Sequence, residues 1–220
     1  MRYQDKSIFP SPLDADEDGI VAFSTALNCQ MLIDAYSHGI FPWPFGEGEQ
    51  YIPWCSPAER GIIMIGEFHI PHGTAREMKK WNFSFAIDRN FREVITSCAA
   101  AVRAGQDGTW ITNDIINAYT DFHRLGYAHS FEAYDPEGNL AGGLYGISIG
   151  KIFCGESMFY RVSGASKFAF IKMAEFLKAK GVAVIDTQMV TNLTGSFGAH
   201  IIVREQYIKL LKKYGGKPLF

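Results

Sequence analysis

No run of about 18 consecutive apolar residues occurs in the 220-residue chain, so no helix is expected to span a bilayer. The opening stretch MRYQDKSIFPSP lacks the apolar core of a secretory leader. Cysteine is scarce: Cys29, Cys55, Cys98 and Cys154 lie far apart, and none forms a CxxC pair. They read as free thiols of a reducing cytosol. A dominant charge sign is also missing. The net charge is −2, so the chain as a whole is not a general polyanion binder. The strings G-x-x-x-x-G-K-[ST] and G-x-G-x-x-G are absent, which removes the usual P-loop and dinucleotide readings. His69 and His72 have metal-like spacing, but no third ligand lies near and Pro71 argues for a loop, so no metal is expected.

Apolar residues make up 47% of the chain and aromatics 14%, enough to fill a sizeable core and exclude disorder by composition. Charge is distributed unevenly. The first 70 residues carry a net −7, and residues 201–220 carry +4. Two basic stretches, AREMKKW (75–81) and KLLKKYGGK (209–217), are candidate nucleic-acid contacts or, equally, solvated helix faces.

Residues 1–24 are acidic and turn-rich. A helix is predicted from Asn28 as N-cap to His38, with Met31, Leu32, Ala35 and Tyr36 on one face and Gly39 closing it. The aromatic, proline-rich stretch 39–57 reads as a long loop, a place where ligands often bind. A second part begins near residue 60. RGIIMI and FSFAID read as strands, TAREMKKW as a short helix and 90–104 as another. Thr112 is expected to cap a helix carrying Ile115, Ile116, Tyr119, Phe122 and Leu125, with Gly126 at its end. AHSFEAYD, LAGGLYGISIG and KIFCGES form an antiparallel meander. A helix over 164–180, the buried strand VAVIDTQ, the strand HIIV and a basic helix from Arg204 complete the chain. The fold class is therefore α+β: a small N-terminal domain (1–60), then a mixed sheet with flanking helices (61–220). Meander, helix, then buried strand is the order of acyl-CoA N-acyltransferase-like domains. Their sheet splits between central strands where acyl donor and amine meet, though order alone does not determine function.

Three polar residues stand out. Glu156 is a lone acid in FCGESMF. Asp186 and Gln188 sit at the end of a buried strand, where α/β proteins expose their chemistry. A two-residue spacing turns the last two to one side. Two acids and an amide suit a cationic amine. The alternative is structural, with Asp186 capping a turn and Glu156 pairing with a surface cation. The segment Arg161-Val-Ser-Gly164-Ala-Ser166 nearly matches the R-x-x-G-x-G/A loop that holds a pyrophosphate at a helix start. It also reads as an ordinary helix start with Ser163 as N-cap.

These strings together resemble the leucyl/phenylalanyl-tRNA–protein transferases. The resemblance is carried by FPSP (9–12), AYSHGIFPW (35–43), WCSPAERG (54–61), GTWIT (108–112), AY..FHRLGYAHSFE (118–132), GGLYGISIGKIFCGESMF (142–159), ASK (165–167), IDTQ (185–188), SFGA (196–199) and R..Y (204–207). It spans nearly the whole chain. It implies transfer of leucine or phenylalanine, less readily methionine, from aminoacyl-tRNA to the α-amino group of proteins beginning with Arg or Lys. Such products are marked for degradation in the bacterial cytosol. It implies no cofactor, because the aminoacyl ester is already activated.

By the same resemblance, Glu156 pairs with the acceptor's side-chain cation, while Asp186 and Gln188 orient its α-amine against the ester carbonyl. An α-amino pKa near ~7.7–8 leaves a useful neutral fraction at pH 7, so positioning is enough. The donor side chain would lie against Leu144, Phe153, Phe170, Met173, Leu177 and Ile185. The terminal adenosine would stack near Trp43 and Trp110, and Arg76, Lys79 and Lys80 would meet tRNA phosphates. This chain departs from the family pattern at Ser24-Thr25-Ala26-Leu27, at Gly164 in place of asparagine and at Leu193 in place of histidine. Two rival functions remain open on sequence grounds: an acetyl-CoA-dependent N-acetyltransferase, and a non-catalytic binder of N-terminal Arg/Lys peptides.

Overall fold

A computed structural model describes residues 7–46, 48–101 and 109–220. The end of the helix expected over 90–104, beyond residue 101, and Gly108 of GTWIT lie outside the described residues.

The N-terminal part is a three-stranded antiparallel sheet with a helix. Its strands are β1 (Ile20–Ser24), β2 (Phe41–Pro42) and β3 (Ile52–Cys55), in the order β1-β3-β2. The stretch 39–57 is thus not one long loop. A two-residue strand and a strand containing Pro53 carry no alternation to read, and proline is unusual in a central strand. Pairing is instead held by Trp54, which is fully buried, donates its indole N–H to Ser24 Oγ at 2.8 Å and packs on Phe9. Helix α1 (Cys29–Ser37) starts as expected: the Asn28 side chain accepts from Met31 N at 3.0 Å, and Leu32, Ala35 and Tyr36 are buried. Gly39, at φ +81°, turns the chain out of it.

The larger sheet contains β4 (Glu59–Met64), β5 (Ser84–Ile87), β6 (Ala128–Tyr134), β7 (Leu140–Ile149), β8 (Ile152–Tyr160), β9 (Val184–Gln188) and β10 (His200–Val203). The order across it is β10-β4-β9-β8-β7-β6-β5. Alternation divides each strand between two cores. Ile62 faces the helices α3 (Phe91–Ala99) and α4 (Asn113–Arg124), while its neighbour Ile63 faces α5 (Ala165–Ala179). Short helices α2 (His72–Met78) and α6 (Asn192–Ser196) and the basic helix α7 (Arg204–Tyr214) complete the fold. Thr112 caps α4 by accepting from Ile115 N, and Ile115, Ile116, Tyr119 and Phe122 are buried. Leu125 is not on that face: it lies past the last turn and is exposed. Helix α5 starts at Gly164 in a left-handed conformation (φ +89°), with no cap from Ser163. Five-residue α6, held by a Thr191–Thr194 capping box, is too short to leave a periodic signal.

Every pairing in the large sheet is antiparallel except β8 with β9, which α5 connects as a crossover. That parallel ladder runs only from Ile152↔Val184 to Cys154↔Asp186, while β8 continues to Tyr160. Beyond Cys154 the two strands part. On its other side β8 skips a residue against β7: Tyr145 pairs Ser157, then Gly146 pairs Gly155. The unpaired extra residue is Glu156. The lone acid of FCGESMF is therefore a β-bulge at the mouth of the split, a device that re-aims a side chain.

Candidate active site

A cavity of about 490 Å³ fills the opening between β8 and β9. Its apolar wall comes from Leu144, Met158, Phe170, Met173, Ile185 and Leu193. Phe170 and Met173 are neighbours on one face of α5, one turn apart. Of the side-chain pocket expected from the resemblance, Leu144, Phe170, Met173 and Ile185 line this wall. Phe153 and Leu177 lie behind it, fully buried, with Phe153 edge-on to Phe131. Across from the aliphatic wall stand Trp43, from just after β2, and Trp110, from just before α4. Their rings stack on each other at 5.3 Å and 15°, and Trp110 is only 6% exposed. The outer indole surface of the pair belongs to Trp43.

The polar end holds Glu156 and Gln188 together. Gln188 Nε2 donates to Glu156 Oε2 at 3.0 Å, while Glu156 Oε1 has no hydrogen-bond partner. Burial pushes the Glu156 carboxyl up to about 8, against the opposing pull of the nearby Tyr36 hydroxyl; Asp186 adds to the rise. Asp186 sits behind Gln188 and does not line the cavity. It is fully buried, and its Oδ1 accepts the Gln188 backbone N–H at 2.8 Å. That bond holds Gln188 at φ +59°, a conformation rare for a residue with a side chain.

Two residues that spacing could not identify hold Asp186. Arg60 Nε donates to Oδ2 at 3.0 Å and Tyr207 OH donates to the same oxygen at 2.7 Å. The Arg60 guanidinium lies between the rings of Phe41 and Tyr207, at 4.7 and 4.5 Å. Burial alone would lower the Arg60 pKa, but the Asp186 carboxylate outweighs it and the guanidinium stays charged. Tyr36 and Tyr119 form a second buried pair, OH to OH at 2.6 Å, with burial pushing both phenols up and the Glu156 charge adding to it. All four residues fall inside strings that carry the family resemblance, which is the one signal that pointed to them.

Cys154 is no nucleophile in this setting. Its thiol is buried beside the Tyr207 hydroxyl at 3.7 Å, and desolvation pushes it well up. Arg76, Lys79 and Lys80 lie away from the cavity, all exposed, on α2 and the turn after it. His69 Nδ1 is 3.1 Å from the Glu67 carbonyl, and among the described residues no group of three metal-ligating side chains is formed. Among the described residues no helix is long and apolar enough to cross a membrane.

The architecture and the sequence both have known counterparts. A conserved protein of unknown function from Bacteroides thetaiotaomicron VPI-5482 is similar in fold, with TM-score 0.50 at 14% identity over 66% of this chain and 57% of that one. Residues 62–212 match the family model described as leucyl/phenylalanyl-tRNA protein transferase, and residues 25–58 match the model of that family's N-terminal domain. A leucyl/phenylalanyl-tRNA–protein transferase of Chromobacterium violaceum is 44% identical over 89% of this chain and 82% of its own length. Its counterpart in Shewanella sediminis is 42% identical over 94% and 86%. Matches of this extent in both parts of the molecule show that the chain belongs to the leucyl/phenylalanyl-tRNA–protein transferase family.

Proposed function

We propose that this chain transfers leucine or phenylalanine, and less readily methionine, from aminoacyl-tRNA to the α-amino group of proteins that begin with Arg or Lys. The observation that carries the reading is the meeting of two unlike surfaces at the β8–β9 split. An apolar wall suits the donor side chain, and the bulged Glu156 beside Gln188 suits a cation. The amine nitrogen attacks the ester carbonyl, the new C–N bond forms and the bond to the ribose 3′-oxygen breaks. The proton shed by nitrogen ends on that oxygen. Gln188 orients the amine, while Asp186 acts through it by fixing the backbone. The ester supplies the driving force, so alignment is what the protein must provide. Products would enter degradation in the cytosol.

The acetyl-CoA rival gains nothing from Arg161. Its guanidinium is engaged by Glu93, Ser97 and the Leu140 carbonyl. A direct test incubates the protein with labelled leucyl-tRNA and an Arg-initiated peptide. Label should move to the peptide and RNase pretreatment should abolish it. Acetylation from acetyl-CoA, or peptide binding with no transfer, would reject the proposal.

A further inference from the structure

A second hollow, of about 370 Å³, lies outside the catalytic cavity at the start of α5. Gly164 has no side chain to cap the helix, and a Cβ there would sit 2.5 Å from Trp81 Nε1. Ala165 N donates to Val162 O and Phe168 N to Gly164 O. Helix geometry gives the amides between them, of Ser166 and Lys167, no intrahelical acceptor. A helix start of this kind favours an anion.

Ser166 adds an independent observation. It lines the hollow, is only 8% exposed, and its hydroxyl has no protein partner among the described residues. Lys80 and Lys167 also line the hollow, and Glu77 offsets Lys167 at 3.1 Å, which leaves the Lys80 charge. The place is adjacent to the chemistry. Ser166 lies about one helical turn before Phe170, which lines the catalytic cavity. Tyr160, on the rim, lies two residues beyond Met158 on β8.

We propose that this hollow is a phosphate subsite for a backbone phosphodiester of the donor RNA's 3′ strand. Ser166 Oγ and the amides of Ser166 and Lys167 donate to it, and Lys80 supplies charge. The proposal rests on transfer from aminoacyl-tRNA as described above. A nucleotide pyrophosphate would present the same chemistry, so the experiment must separate the two sources.

Transfer kinetics are measured with leucyl-tRNA and with leucyl-adenosine, which carries no phosphate. Ser166→Ala should raise KM for leucyl-tRNA about tenfold, the loss of one charge-assisted hydrogen bond. Ser166→Asp should raise it further, although an acid there suits the helix start and should preserve or raise Tm. KM for leucyl-adenosine should change with neither variant. An unchanged KM for leucyl-tRNA, or equal rises for both donors, overturns the subsite. Coenzyme A that competes with leucyl-tRNA on wild type but not on Ser166→Ala would assign the hollow to a free nucleotide and overturn the RNA assignment. If wild type transfers from neither donor, the function reading itself fails and takes the subsite with it. Transfer by wild type with no Ser166 effect leaves that reading standing alone.

Discussion

A carboxyl that ionises near 4.5 in the unfolded chain and near 8 in the fold is mostly protonated at pH 7, which suits a site awaiting a cation. Between those values the native state keeps a proton that the unfolded state has lost. Stability therefore falls as pH rises from about 4.5 to about 8, and the deficit is constant above that. Glu156→Gln should accordingly melt higher than wild type at roughly pH 9, and the two should converge near pH 4.5. A bound Arg or Lys side chain pulls the pKa back down, so acceptor binding should release a proton from Glu156. Calorimetry in buffers of different ionisation enthalpy reads that release, and comparison with Glu156→Gln separates it from the peptide's own amine. The variant should also bind the Arg-initiated peptide about tenfold or more weakly at pH 7.5–8, with a flatter pH dependence. Equal binding and equal proton release in both proteins would remove Glu156 from the acceptor site.

At the scale of elements, Asp186 ties β9 to β4 and α7 through Arg60 and Tyr207. Removing one partner of a buried ion pair leaves an uncompensated charge, so Arg60→Ala should lose about 3–5 kcal/mol. Tyr207→Phe removes one hydrogen bond and should lose about 1 kcal/mol. Denaturant titration checks both, and equal losses would contradict this division of roles. Neither residue was legible by pattern, because Arg60 is 126 positions and Tyr207 21 positions from Asp186. Contacts of that range depend on how strands pair. The long elements were legible for the opposite reason. The meander β6–β8 and helices α1, α4 and α5 have apolar periods sustained over many residues. Short β2, β3 and α6 have no room for a period. Glu156 stood out as an acid among apolar neighbours, but its bulge is a property of the pairing with β7 and cannot be read from β8 alone.

Over the whole molecule, a net charge of −2 means that affinity for a polyanion must come from local surface. Arg76, Lys79 and Lys80 form such a strip, exposed on and just after α2. Each phosphate contact contributes about 0.7–0.9 to the dependence of log affinity on log salt, so three contacts give a shallow slope of ~2–3. Lys79→Ala with Lys80→Ala should weaken tRNA binding at low salt and flatten that slope by about 1.5. Stacking behaves differently, because it involves no counterions. Trp110 is packed beneath Trp43, so Trp110→Ala would disturb the core as well as any stacking surface. Trp43→Ala is the cleaner probe. It should cost ~1–3 kcal/mol of tRNA affinity at every salt concentration, with the slope unchanged. Filter binding of leucyl-tRNA across a salt series distinguishes the two effects. A double lysine variant that keeps the wild-type slope would move the contact away from α2. The next surface to test is then the C-terminal cluster of Lys212, Lys213 and Lys217, where α7 ends and the last residues carry the chain's strongest local positive charge.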